Sequence, residues 1–185
     1  MTVIQEGKTF IYEGKQRQGK TLAMSLAALG DYEKGRNIVS NVPFTFPFTP
    51  IKFKDLQLSQ EEGTIHGSTI CLDELNFLFD GRSSGTGINK KFSYFLLQTK
   101  KMGVNLLGTT HDLGALDKRF RMNYDYLIVP ECLPINRKDD SPPEALILEI
   151  FNGPNQRNFH RKKVINLKDR LGLYDTTHTF NPFAD

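Results

Sequence analysis

The sequence predicts an α/β fold with a mainly parallel sheet, and three observations carry that reading. Strand-like and helix-like segments alternate along the chain. A glycine-rich loop, Gly14 to Thr21, sits between the first strand-like run and the first helical one. A short apolar run, Ser68 to Leu72, ends in two adjacent carboxylates, Asp73 and Glu74.

The elements follow in order. Thr9 to Glu13 is β-prone and forms the first strand. Lys20 to Leu29 carries Leu22, Leu26 and Leu29 at helical spacing, and Gly30 is expected to stop that helix. Asn37 to Val42 reads as a second strand. Pro43, Pro47 and Pro50 alternate with Phe44, Phe46 and Phe48, which makes an extended connector because the residue before a proline is pushed out of the helical region. Lys54 to Ser59 reads as a short helix, Ser68 to Leu72 as a buried strand, and Gly81 to Gly87 as a glycine–serine loop. Lys90 to Met102 is amphipathic, with Phe92, Phe95, Leu96, Thr99 and Met102 on one face. Asn105 to Thr110 is the next strand, Leu113 to Phe120 a short helix, and Tyr126 to Val129 a further strand. Ala145 to Phe151 and Lys163 to Leu167 are expected to add antiparallel strands at the sheet edge. No repeat and no long linker divides residues 1–185, so a single domain is expected.

The 185 residues are 38% hydrophobic and 24% charged, a soluble and globular composition. The net charge of +3 says little about partners, but Arg157, Arg161, Lys162, Lys163, Lys168 and Arg170 crowd together near the C-terminus. Cys71 lies in an apolar run and Cys132 stands apart from any histidine, so neither a disulfide nor a zinc site is expected. Two isolated cysteines imply a reducing cytoplasm, and no leader or span-length apolar run is legible.

The chemistry is carried by Gly14-Lys15-Gln16-Arg17-Gln18-Gly19-Lys20-Thr21, a complete G-x-x-x-x-G-K-[ST] phosphate loop. Its glycines let the backbone N–H groups curl around phosphates beside the positive end of the following helix. Lys20 is placed for the β- and γ-phosphates and the Thr21 hydroxyl for Mg²⁺. Asp73, at a strand tip, fits the second magnesium-orienting group, and Glu74 fits the base that polarises an attacking water. Guanine-specific proteins carry an N-K-x-D base reader; Asn89-Lys90-Lys91-Phe92 lacks its Asp. Hydrolysis of ATP with Mg²⁺ is therefore expected, on a P-loop NTPase fold: a three-layer sandwich around a mainly parallel sheet. The polar tip Thr109, Thr110 and His111 is expected beside the γ-phosphate, with His111 as its sensor.

Taken as an ordered set, these segments resemble the FtsK–HerA superfamily of DNA-pumping ATPases, especially its viral genome-packaging and Zot-like branches. The matching residues run from Ile11 to about Val129: the phosphate loop, Leu72-Asp73-Glu74, Arg82-Ser83, Gln98 to Asn105 leading into the Thr-Thr-His strand, and Leu116 to Asn123. Leu173-Tyr174-Asp175-Thr176 adds an echo. The family usually has Gln where this chain has His111. The resemblance implies a ring, usually a hexamer, completed by an arginine finger in trans, with Arg82 first and Arg119 and Arg121 as runners-up. It implies double-stranded DNA bound without sequence readout, capsid or vertex proteins as partners, and work in the host cytoplasm at the assembling virion. Zot-like relatives usually carry a membrane span after the ATPase domain. With no such span legible, genome packaging leads over an extrusion or conjugation ATPase. A phosphotransferase and a nucleotide-gated capsid-vertex scaffold are the alternatives from other classes.

Overall fold

The computed structural model describes residues 7–51, 65–78, 95, 98–134, 142–154, 158–168 and 170–174, with the side chains of 77 and 78 left aside. Its elements are β1 (Thr9–Glu13), α1 (Lys20–Tyr32), β2 (Ile38–Ser40), β3 (Thr49–Pro50), β4 (Thr69–Leu72), α2 (Leu75–Leu78) and β5 (Asn105–Thr110). A 3₁₀ turn (Leu113–Ala115), α3 (Lys118–Arg121), β6 (Tyr126–Leu133), β7 (Ala145–Asn152) and β8 (Phe159–Asn166) complete the order. The expected helix at Lys54 to Ser59, the loop at Gly81 to Gly87 with Arg82, and most of Lys90 to Met102 lie outside the described residues. Residues 95 and 98–101 of that last segment are helical.

One sheet holds the strands in the order β3-β2-β4-β5-β1-β6-β7-β8. The pairs from β3 to β6 are parallel, and β7 and β8 add the antiparallel edge that the sequence predicts. Side chains alternate between two cores, as the two-residue period of a strand requires. Ile11, Ile70, Leu72, Leu106 and Leu127 face one side with Phe95, Met102, Leu113 and Phe120. Tyr12, Cys71, Leu107 and Ile128 face the other and pack against Leu22, Ala23, Met24 and Ala28 of α1. All four residues of β4 are buried, which explains why it reads as a continuous apolar run rather than an alternation. Cys71 and Cys132 are free and buried, and burial pushes the Cys71 thiol well above its ordinary pKa.

Gly30 does not stop α1, which runs on to Tyr32. Asp31 holds the last turn, its Oδ2 accepting from Thr69 Oγ1 at 2.8 Å and from Asn105 Nδ2 at 2.9 Å, and that anchorage outweighs the glycine's poor propensity. The chain leaves the helix at Gly35, which has φ 83° and donates to Tyr32 O at 2.8 Å. The single helix expected over Leu113 to Phe120 is two turns instead. Asp112 caps the first by accepting from Gly114 N at 2.7 Å, Leu116 is extended, and Asp117 caps α3 by accepting from Arg119 N at 2.8 Å. β6 and β8 are longer than expected because each gains pairing along the full length of β7.

Asp117 is nearly buried and also takes both guanidinium arms of Arg119, Nε at 3.0 Å and Nη2 at 2.8 Å. Those bonds hold its carboxyl below the usual carboxylate range. Because the folded pKa lies below the unfolded one, the stabilisation is present above the ordinary Asp range and is lost as pH falls through the folded value. Asp117→Ala should cost about 1–2 kcal/mol at pH 7, the worth of a lost cap. In urea melts the gap between wild type and variant should narrow as pH is lowered below about 4.

Candidate nucleotide site

The phosphate loop leaves the tip of β1 and enters α1 through Gly19, whose φ of 88° lies in the left-handed region. A Cβ there would lie 2.6 Å from Cys132 Sγ and 2.9 Å from Leu146 Cδ1, so only glycine lets the helix start this close to β6 and β7. Arg17 is also left-handed, with φ 64°. Lys15, Gln16 and Arg17 are exposed, as expected for the loop's variable positions, and Lys20 is buried. The loop satisfies its own donors: Lys15 N donates to Gln18 Oε1 at 2.5 Å and Lys20 Nζ to Lys15 O at 3.0 Å. Phosphate oxygens would compete for these same donors. Burial lowers the Lys20 pKa, an effect that the carboxylates of Glu74 and Asp73 offset in part.

β5 lies between β1 and β4, so its tip stands between the loop and the acidic pair. His111 joins the two sides, with Nδ1 3.3 Å from Lys20 Nζ and Nε2 3.1 Å from Glu74 Oε1. A lysine ammonium has only donors, so Nδ1 accepts from Lys20 and Nε2–H is left to donate to Glu74. Glu74 Oε2 is buried and has no hydrogen-bond partner, which leaves an acceptor for a water or a hydroxyl.

Thr21 Oγ1 lies 3.2 and 3.4 Å from the two oxygens of Asp73. This pair fits Mg²⁺, a hard cation that takes oxygen donors, keeps several waters and shares phosphate oxygens instead of requiring an all-protein cage. Among the described residues no cluster of three or more His, Cys, Asp or Glu forms such a cage. Thr21 and Asp73 would hold the ion, which when bound supplies positive charge for phosphate oxygens.

The structure gives Thr109 a definite partner set and adds partners of the acidic pair that the sequence reading missed. Thr109 is fully buried; it donates to Asp73 Oδ1 at 2.5 Å and accepts from Glu74 N at 3.0 Å. It aims the acidic pair. Thr110 turns to Asp112 O at 3.1 Å. Asn41, just past β2, clamps Asp73 from the other side: its Oδ1 accepts from Asp73 N at 2.8 Å and its Nδ2 donates to Asp73 O at 3.2 Å. These bonds hold Glu74 at φ 58°, a left-handed conformation costly for a non-glycine residue and held only where surroundings enforce it. Gly108 contributes through absence of a side chain, since a Cβ there would overlap Leu75 at the start of α2.

Tyr174, from the echo near the C-terminus, bridges to Phe44 while Thr45 N donates to Leu173 O at 3.0 Å. Burial raises its pKa, with the charge of Asp73 adding to the effect. Of the arginines weighed as a finger, Arg82 lies outside the described residues, Arg119 is committed to Asp117, and Arg121 has a buried Nε without a hydrogen-bond partner.

A phosphate loop at the tip of β1, an acidic pair at the tip of β4 and a polar-tipped strand between them define a P-loop NTPase fold. Solved structures share it. The N-terminal domain of zonular occludens toxin from Neisseria meningitidis matches with a TM-score of 0.69 at 17% identity, covering 92% of this chain and 100% of that one. The genome packaging NTPase B204 of Sulfolobus turreted icosahedral virus 2, in complex with AMP, matches at 0.57 and 10% identity, covering 85% and 96%. B204 described as the DNA-packaging ATPase of Sulfolobus turreted icosahedral virus matches at 0.56 and 12%, covering 86% and 97%. No protein-family model and no curated protein sequence matches the chain. Both of these kinds of protein, the Zot-like and the genome-packaging, are among those that the ordered sequence motifs resemble.

Thr109→Val keeps the volume and removes both hydrogen bonds. It should lower the rate of ATP hydrolysis by about 10- to 100-fold while nucleotide affinity changes little, since a misplaced base costs rate before binding. Single-turnover hydrolysis beside equilibrium titration with a fluorescent ATP analogue separates the two effects.

Proposed function

We propose that this chain is an ATP-hydrolysing motor that moves double-stranded DNA into a preformed viral capsid. The observation that carries the proposal is the linked set Lys20–His111–Glu74 beside Thr21–Asp73, on a fold shared with DNA-packaging NTPases. Relatives of that fold in complex with AMP, ATP-γS and AMPPCP support nucleotide binding at the loop. In this reading Gly14 to Thr21 wrap the phosphates and Lys20 leaves Lys15 O for the β/γ oxygens. Thr21 and Asp73 hold Mg²⁺, and Glu74 takes the proton of the attacking water. His111 loses its Lys20 contact when phosphate claims the lysine, and so reports occupancy to Glu74. The chains act as a ring, a hexamer by resemblance, with Arg82 reaching a neighbour's site. Capsid or vertex proteins are the docking partners, and the place of work is the host cytoplasm at the assembling virion.

A second reading, a Zot-like extrusion ATPase, is supported by the higher TM-score of the zonular occludens toxin domain, 0.69 against 0.57. No helix among the described residues is long and apolar enough to cross a membrane, so an anchor would be supplied outside them.

ATPase assays with and without duplex DNA test the proposal. Glu74→Gln should lose at least about 100-fold in rate with nucleotide affinity kept. Arg82→Ala should lose about 10³-fold in the assembled ring and be rescued by mixing with a Lys20→Ala chain, because each supplies what the other lacks. Wild-type hydrolysis by Glu74→Gln would show the base assignment to be wrong. ATP consumption that depends on a small acceptor and ignores DNA would replace the motor with a phosphotransferase.

A further inference from the structure

On the α1 face the sheet extends past the helix, and β6, β7 and β8 leave a groove of about 320 Å³ there. That volume is at the small end of ordinary ligand sites, the size of one nucleotide and far short of a duplex. Its floor is apolar and aromatic. Phe10 and Tyr126 are stacked with ring centroids 5.1 Å apart, and His160 tilts over Tyr126 at 6.1 Å. Its rim is basic. Lys8 Nζ stands 5.5 Å from the centre of the Tyr126 ring, and Arg161 and Lys163 line the β8 side. The register pairs Arg161 with Ile150 and Lys163 with Leu148, so both cations share the groove's face of the sheet. Lys162 pairs with Glu149 on the opposite face, where Lys162 Nζ lies 3.4 Å from Glu149 Oε1. The one carboxylate lining the groove, Asp31, is held by Thr69, Asn105 and Lys34, whereas Arg161 and Lys163 have no ion pair among the described residues. The groove therefore offers net positive charge over a stacking surface, on the α1 face at the end of the sheet where β1, β5 and β6 begin, opposite the phosphate loop at the tip of β1.

We propose that this groove binds a single strand of DNA, with Lys8, Arg161 and Lys163 on successive phosphates and a base against Tyr126. Cations tracking a backbone beside aromatic rings are the two elements of sequence-independent single-strand binding. The proposal rests on the reading that this chain moves DNA; it names the surface that grips, and it requires that a duplex engaged there be opened so that one strand reaches the groove. Contact along β8 also explains an otherwise hazardous feature. β8 is an eight-residue edge strand, exposed along nearly all its length and paired on one side only among the described residues. Its run of cations blunts that edge against other strands while favouring a polyanion.

The test uses the full chain, a labelled 20-nucleotide oligo-dT, the same oligomer carrying 2-aminopurine, and a 20-base-pair duplex. Arg161→Ala/Lys163→Ala should weaken oligo-dT binding by about tenfold or more. Removing two phosphate contacts should also flatten the slope of log affinity against log salt by about 1.4. Lys162→Ala, on the other face, should change both far less. Wild type should quench 2-aminopurine and Tyr126→Leu should not, a readout of stacking that charge loss alone does not move. Hydrolysis without DNA should be unchanged in all of these variants. If DNA stimulates hydrolysis yet the double variant binds oligo-dT like wild type, the groove assignment is overturned and the motor reading stands. Duplex bound as tightly as oligo-dT, with no quenching, overturns the single-strand assignment. If wild type neither binds DNA nor responds to it in hydrolysis, the motor reading itself fails.

Discussion

Everything at this site depends on β5 being inserted between β1 and β4. A phosphate loop and an acidic strand tip could be neighbours, yet direct pairing of β1 with β4 would leave no side chain between Lys20 and Glu74. With β5 interposed, strand spacing of about 5 Å places a third tip in the gap, and its last residues are Thr109, Thr110 and then His111. The parallel registers Glu13↔Thr110 and Leu72↔Gly108 fix how far that tip projects. A shift of one residue would turn Thr109 away from Asp73 and put a neighbour's side chain in its place. Register is therefore a chemical constraint here as well as a packing one, and the alternating burial of Leu106 and Leu107 into opposite cores is what enforces it.

That dependence explains which parts were legible in the sequence. The loop from Gly14 to Thr21 and the pair Asp73-Glu74 are local patterns, in which the needed chemistry lies within a few residues and is marked by glycine or by an abrupt change from apolar to acidic. The partners of Asp73 are not local. Asn41 stands 32 residues away and Thr109 stands 36 away, and both are ordinary residues at strand ends until the sheet order is known. A polar residue directly after or at the end of a buried strand was the available signal. It supports several roles equally, which is why Thr109 could be expected at a phosphate and be found holding carboxylates. Gly30 illustrates the same limit from the side of stability. Propensity alone ends the helix there, but bonds from Asp31 to β4 and β5, far along the chain, carry it for another two residues.

The site also shows how strain and satisfaction are balanced. Glu74 has a left-handed backbone, and a residue so placed persists only where its surroundings over-determine it. Its N–H is held by Thr109, the preceding peptide by Asn41, and the following helix by the space that Gly108 leaves for Leu75. The outcome of this arrangement is one carboxylate oxygen joined to His111 and the other buried and unpartnered. An unsatisfied acceptor buried beside a phosphate loop is destabilising for the fold by itself, so stability alone does not account for Glu74 Oε2.

The chain of contacts from Lys20 through His111 to Glu74 has a direction. Lys20 can only donate, so the lysine sets the tautomer of His111, and the tautomer decides that His111 donates to Glu74. When a phosphate takes Lys20, His111 is no longer required to present Nδ1 as an acceptor, and it is free to rotate or exchange tautomers. Either change withdraws the hydrogen bond from Glu74 and leaves both of its carboxylate oxygens open to a new partner. A glutamine in place of His111 could also connect a lysine to a carboxylate, using its carbonyl toward one and its amide toward the other.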